Sequence, residues 1–167
     1  MQVQFSSTDM FRGQPGLPAR ESPAKLSYMG GTFEILEHTA DIGLRARGAT
    51  PSEACESAAL GLMSLLVAPE SVRARQEETV AAEGVDAADL LVRWLHEVLF
   101  LIDAHRRVFA TVRVTDFEEW RLKAVLSGEP FDPRRHKLRE EIKAVTYHGA
   151  RFEPAPDGWI AEVLFDV

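Results

Sequence analysis

The side chains able to do chemistry fall in three short runs. The first is His38-Thr39-Ala40-Asp41, an imidazole and a carboxylate set between two stretches that alternate like β-strands, with Phe33 and Ile35 before them and Ile42, Leu44 and Ala46 after. A strand end can hold a side chain rigidly while leaving it open to solvent. Thr and Asp also shape turns, so the spacing by itself equally admits a purely structural bend at Asp41-Ile42-Gly43.

The second run is the chain end, Phe165-Asp166-Val167, which closes inside a strand-like pattern. If that strand is tied into a sheet, the Asp166 side chain and the α-carboxylate of Val167 stand next to one another and repel unless a cation neutralises them. Asp41, supplied by a neighbouring strand end, would complete a set of oxygen donors of the kind that suits Ca2+ or Mg2+. Zinc is disfavoured, because Cys55 is the only cysteine and the histidines lack the short spacing of a zinc site. His96 and His105 read as surface or boundary residues of a helix, and His136 as a loop residue in contact with solvent only.

The third run starts at Phe131-Asp132-Pro133 and passes through Arg134, Arg135, His136 and Lys137 to Ile142-Lys143-Ala144-Val145-Thr146-Tyr147-His148. Asp-Pro signals a turn, and the basic cluster after it is a local exception on an acidic chain, open to phosphate or an acidic partner but more commonly just solvated. Lys143 opens an apolar strand and either snorkels outward or offers its ammonium to a partner's anion. No nucleophile constellation accompanies these groups. Cys55 has the spacing of a buried helix face, and neither a Gly-x-Ser-x-Gly elbow nor a phosphate-cradling glycine loop is present.

The elements that must position these residues follow from periodicity. Two strands meet at 38–41. Thr50-Pro51-Ser52-Glu53 combines a cap, a proline at the first helical position and a glutamate three residues on, which starts a helix ending near Val67. A strand occupies the second half of 72–83, and Asp86 caps a second helix with Leu91, Trp94, Leu95, Val98, Leu99 and Ile102 on its buried face. Strands are expected at 108–114, 121–126, 142–152 and 159–165. The sum is an α+β fold of two layers, a mostly antiparallel sheet with the two amphipathic helices on one face. Residues 1–31, rich in Pro, Gly and Ser and without periodicity, read as a disordered N-terminal extension to a single domain at 32–167. Met29 is an alternative start.

Formal charge is −7, which argues against a protein that grips bare phosphate backbone, so any service to RNA would pass through another protein. A lone cysteine and the lack of any signal or membrane-length apolar run set a cytoplasmic address as the expectation, with no membrane partner.

Glu37-His38-Thr39-Ala40-Asp41-Ile42-Gly43, the helix with Trp94 and Leu95, Phe131-Asp132-Pro133, the Lys143-to-His148 segment and the terminal Asp166-Val167, in that order, resemble the archease family over residues 32–167. The resemblance implies a protein cofactor of an RtcB-type RNA ligase in tRNA splicing and RNA repair. It would promote guanylylation of the ligase's active-site histidine, support multiple turnover and broaden nucleotide use, without being an enzyme itself. It further implies a divalent cation, Ca2+ with Mg2+ or Mn2+ as alternatives, held by Asp41, Asp166 and Val167, with Lys143 and His38 among the residues that activate the partner. Two other classes are weighed against it: a general chaperone or adaptor, and a metal-dependent phosphoesterase using His38, Asp41 and His148.

Overall fold

The computed structural model describes residues 26–28, 31–37 and 40–167. Eight strands and two helices follow in the order β1 (Leu26–Tyr28), β2 (Gly31–Glu37), β3 (Asp41–Gly48), α1 (Pro51–Leu66), β4 (Gln76–Glu83), α2 (Ala87–His105), β5 (Arg107–Glu118), β6 (Arg121–Pro130), β7 (Ala144–Ala155) and β8 (Gly158–Asp166). The fold is α+β and every strand pair is antiparallel. The strands divide into two sheets, a five-stranded one ordered β1-β2-β3-β8-β7 and a three-stranded one ordered β4-β6-β5. Alternation along a strand reports which face is buried but not which strand lies alongside, so the expected sheet became two. Of the extension expected to be disordered, Leu26–Tyr28 are described and pair with β2, and Gly31 opens β2 itself; residues 1–25, 29 and 30 lie outside the described residues.

Both helices begin where the sequence signals place them. The Thr50 hydroxyl accepts from the Glu53 N–H at 3.2 Å, satisfying a donor that the helix start leaves open, while the Glu53 carboxylate reaches back to the N–H of Ala49, just before the cap, at 2.7 Å. Asp86 caps α2 in the same way, accepting from the Asp89 N–H at 2.8 Å. The predicted stripe of α2 is buried from Leu91 to Ile102, and α1 buries Ala54, Ala58, Leu62, Leu65 and Leu66. Each helix packs against strands of both sheets, α1 on β2, β3, β8 and β5, and α2 on β7, β4 and β5.

Small residues let α1 approach β3 closely. A Cβ at Gly61 would come within 2.5 Å of the Leu44 side chain, so any larger residue there would force Leu44 to repack between the helix and the strand that carries Asp41. Trp94, fully buried, bridges the helices by donating its indole N–H to the Cys55 carbonyl at 3.0 Å. The Cys55 thiol beside it is buried, and burial pushes its pKa up, which suits an inert core residue.

His136 departs from expectation. It is completely buried: its Nδ1 accepts from the Asp132 N–H at 2.8 Å, which leaves the proton on Nε2 to be donated to Glu129 at 3.1 Å. The same Glu129 carboxylate oxygen takes Arg135 at 2.6 Å and the Arg73 N–H at 2.9 Å. Between Arg135 and Lys137 a histidine looks solvent-bound; its burial comes from a carboxylate that the turn at Asp132-Pro133 brings back over it.

Two outcomes follow from the core. Replacing Trp94 by Phe removes the indole bond between the helices and leaves a small void, and denaturant melts are expected to show a loss of about 1–3 kcal/mol. Burial alone would raise the Glu129 carboxyl, yet the bonds from Arg135, Arg73 and His136 outweigh it and hold the group at about 2, against an ordinary 4.5. A depressed carboxyl stabilises the fold above its unfolded value and loses that contribution as pH falls toward its folded value. Stability measured across the window from about 4.5 to about 2 should therefore decline, and Glu129→Gln, less stable at neutral pH, should show a flatter profile there.

Candidate functional site

β3 and β8 pair in a continuous register that runs from Asp41 opposite Asp166 to Gly48 opposite Trp159. Core burial fixes that register: Ile42, Leu44 and Ala46 of β3, and Ala161, Val163 and Phe165 of β8, all point inward and are buried. Their alternates therefore share the outer face, and the first row of that face holds Asp41 and Asp166 side by side. Facing positions of this kind put Cβ atoms roughly 5 Å apart. The residues that the sequence left 125 positions apart thus meet at one sheet end, Asp41 half-buried and Asp166 exposed.

The third strand of this corner is β7, with Ala144 opposite Asp166. Lys143, just ahead of it, is attached twice to the chain end. Its N–H donates to the Asp166 carbonyl at 2.8 Å, and its ammonium donates to the main-chain oxygen of Val167 at 3.3 Å. An ammonium therefore rests on an oxygen of the residue that follows Asp166. The donors present, two carboxylates and a main-chain oxygen, are hard oxygen groups of the class that divalent calcium or magnesium takes, with coordination left for water or a partner. Among the described residues no three His, Cys, Asp or Glu side chains converge, so a cation here depends on main-chain oxygen as well as the aspartates.

Below this first row the outer face turns into an ion-paired rung. Arg45 lies between Glu34 of β2, at 2.9 Å, and Glu162 of β8, at 2.6 Å, and Arg151 of β7 approaches the same Glu162 at 3.6 Å. Each of these charges has an opposite neighbour across the strand. Asp41 and Asp166, in contrast, face a like charge.

The remaining sequence candidates are more dispersed. His38 and Thr39 lie outside the described residues. His148 sits exposed on β7, in an irregularity between the Thr146–Leu164 and Arg151–Glu162 pairs where Gly149 takes φ +68°. His96 is half-buried on α2, where burial lowers its pKa, and its Nε2 accepts from the Val145 N–H at 3.3 Å. The basic cluster is partly neutralised, since Arg135 serves the buried Glu129.

One grouping escaped sequence reasoning altogether. Tyr147 donates its hydroxyl to Asp89 at 2.8 Å, and Asp89, mostly buried at the start of α2, also accepts from the Val85 N–H at 2.9 Å and from Arg93 at 2.9 Å. The Val85 and Tyr147 bonds hold the Asp89 carboxyl below its usual range, and the same contact raises the Tyr147 phenol. An Asp three residues after an Asp cap hinted at a helix start, but nothing in the sequence pointed to a tyrosine 58 positions away.

Known proteins share this arrangement of strands. A sequence profile of the Archease protein family (MTH1598/TM1083) matches residues 33–167. The archease of Thermococcus gammatolerans is 42% identical over 139 residues, covering 81% of this chain and 98% of its own, and that of Pyrococcus furiosus is 38% identical over the same length. The solution structure of Methanobacterium thermoautotrophicum protein 1598 superposes with a TM-score of 0.68 at 28% identity, over 81% of this chain and 98% of that one. A crystal structure from Thermotoga maritima, described as "an archease, possible chaperone", superposes with a TM-score of 0.56 at 24% identity, over 79% of this chain and 94% of that one, and speaks to the fold alone. The profile runs from Phe33 in β2 to Val167 and these relatives cover 81% of the chain, which belongs to the archease family.

Proposed function

We propose that this protein is a non-catalytic activator of an RtcB-type RNA ligase, acting in tRNA splicing or RNA repair by promoting guanylylation of the ligase's active-site histidine. Multiple turnover and wider nucleotide use follow from that one effect. The observation that carries the reading is the corner itself: Asp41 and Asp166 in facing register, with Lys143 clamped to the chain end beside them. RNA is reached through the ligase.

Transfer of a guanylyl group redistributes negative charge, and positioned cations stabilise that change more than covalent devices do. In this reading Asp41, Asp166 and the Val167 main-chain oxygen would hold a divalent cation, with Ca2+ as the first choice, which when bound would supply positive charge to the ligase's site. The chain's own residues do the positioning. Core packing fixes β3 against β8, so the two carboxylates are presented without a further ordering cost. Lys143 steadies the last residue and carries a positive charge close to where phosphate would approach.

The chaperone reading requires broad apolar surface, and among the described residues the exposed large hydrophobics are Val85, Phe100 and Tyr147. A phosphoesterase would need Asp41 and His148 to converge. Asp41 heads β3, whereas His148 lies in the irregular part of the edge strand β7, separated from it by β8.

Asp41→Ala should leave the melting temperature nearly unchanged and reduce single-turnover guanylylation of the ligase by roughly 10–100-fold, the range typical of a perturbed metal site. Undiminished stimulation by that variant would remove Asp41 from the mechanism. Calcium titration of the isolated protein should give measurable binding that Asp166→Ala weakens by about tenfold or more. Lys143→Met, at an exposed position, is expected to shift stability by no more than about 0.5 kcal/mol while lowering stimulation. Circular dichroism melts and a guanylylation assay on the same preparation separate the two effects.

A further inference from the structure

β7 is the outer strand of the large sheet, and the stretch of it nearest the acidic corner is held on two sides. On the β8 side the ladder starts only at Ala144, opposite Asp166, and Lys143 precedes it with a main-chain bond to the Asp166 carbonyl. The terminal rungs of a ladder open most easily, because few contacts lie beyond them. On the other side stands α2. The His96 Nε2 accepts the Val145 N–H at 3.3 Å, and two turns earlier Asp89 accepts the Tyr147 hydroxyl at 2.8 Å. The helix thus fastens β7 at alternate residues, 145 and 147.

The His96 contact is the one with chemistry in it. A main-chain N–H needs an acceptor, and here the acceptor is an imidazole nitrogen in place of a carbonyl. Nε2 accepts only while the ring is neutral with its proton on Nδ1. A second proton turns the acceptor into a donor aimed at another donor. The Val145 side chain is buried, so the strand is not free to slide toward a new acceptor, and the bond is kept or lost in place. Lys143 lies two residues upstream, its ammonium on the Val167 main-chain oxygen at 3.3 Å. Loosening at 145 passes directly to that lysine.

We infer that His96 is a positioning residue: by accepting the Val145 N–H in its neutral form it holds the start of β7, and with it Lys143, in the geometry that serves the ligase, and protonation releases that hold. The inference rests on the proposed ligase partnership. His96 acts through the backbone of Val145, one residue inside the rung that Ala144 shares with Asp166. Burial favours the neutral ring and moves its titration below the ordinary 6.5, with the Glu97 carboxylate opposing that shift in smaller measure. Among the groups that α2 and its neighbours carry, Arg93 and Tyr147 are engaged with Asp89, and Lys143 with Val167. Glu78 of β4 is engaged with Arg107 of β5 and with His105 at the end of α2. The hold is complete above 6.5 and is lost as pH falls through the lower, folded-state value.

Two measurements test this. In the isolated full chain, protection of the Val145 amide from hydrogen exchange should fall about three- to tenfold in His96→Leu, the worth of one hydrogen bond. In single-turnover guanylylation of the RtcB-type ligase of the same organism, His96→Leu should lower stimulation by a similar factor, whereas His96→Gln, whose amide oxygen takes the place of Nε2, should retain it. The ratio of wild-type to His96→Gln stimulation cancels the ligase's own pH dependence, and it should stay level above 6.5 and decline in acid. Unchanged Val145 protection in His96→Leu, a ratio that stays flat in acid, or full stimulation by a His96→Leu preparation of native melting temperature would each overturn the positioning role while leaving the ligase reading intact. Failure of His96→Gln alongside His96→Leu would also overturn it, by showing that the ring's shape matters and its acceptor does not. Absence of stimulation by the wild-type chain would bring down both.

Discussion

The antiparallel pairing of β3 with β8 is the constraint on which the site depends. Eight consecutive pairs connect an early strand to the last one, and the register is held by what lies under the sheet, not by the groups that matter on top. A slip of β3 by one residue would turn Ile42, Leu44 and Ala46 out to solvent, at a cost of about 1.5–3 kcal/mol for each of the two large side chains. The close seating of Gly61 on Leu44 makes the same demand from the helix side. Apolar packing thus forces two like charges together at the sheet end, where nothing in their own interaction would favour it.

That division of labour explains the character of the outer face. One row of Glu34, Arg45, Glu162 and Arg151 is charge-compensated from strand to strand, so it covers the sheet without seeking a partner. The row at the edge faces carboxylate with carboxylate, with the Lys143 ammonium on the main-chain oxygen of the next residue, Val167. Among the described residues that pair is the like-charged exception on a face where Glu34, Arg45 and Glu162 are paired, and it is the feature on which the proposed cation site rests. Its expense falls on a core large enough to carry it.

What the sequence disclosed, and what it withheld, follows from the range of the physics involved. Caps at Thr50 and Asp86 and the stripe from Leu91 to Ile102 are set by neighbours within a turn or two, and they are legible. The meeting of Asp41 with Asp166 was reached from charge reasoning and family likeness together, since alternation fixes faces but leaves strand partners open. His136 went wrong because its flanks are charged and its buried acceptor, Glu129, lies on the far side of a turn. Tyr147 gave no signal because a phenol's partner across 58 residues has no local trace.

The irregular segment between β6 and β7 connects these levels. Its backbone groups need partners, as any buried or half-buried chain does, and it takes them from the carbonyls that a helix end leaves open. Arg139 and Glu140 donate their N–H groups to Leu66 and Leu65 at 3.0 Å each, and Leu138 bridges to Val67. The segment is therefore the cap of α1 as well as the lead-in to Lys143. Upstream it is fastened by Glu129, Arg135 and His136, and downstream by the Lys143 bond to Asp166. The buried polar cluster, remote from the acidic corner in sequence and unseen by partner or cation, acts on that corner through the path of the chain: it determines where the loop leaves the small sheet, the helix end determines where it crosses, and those two points bring Lys143 to the last residue.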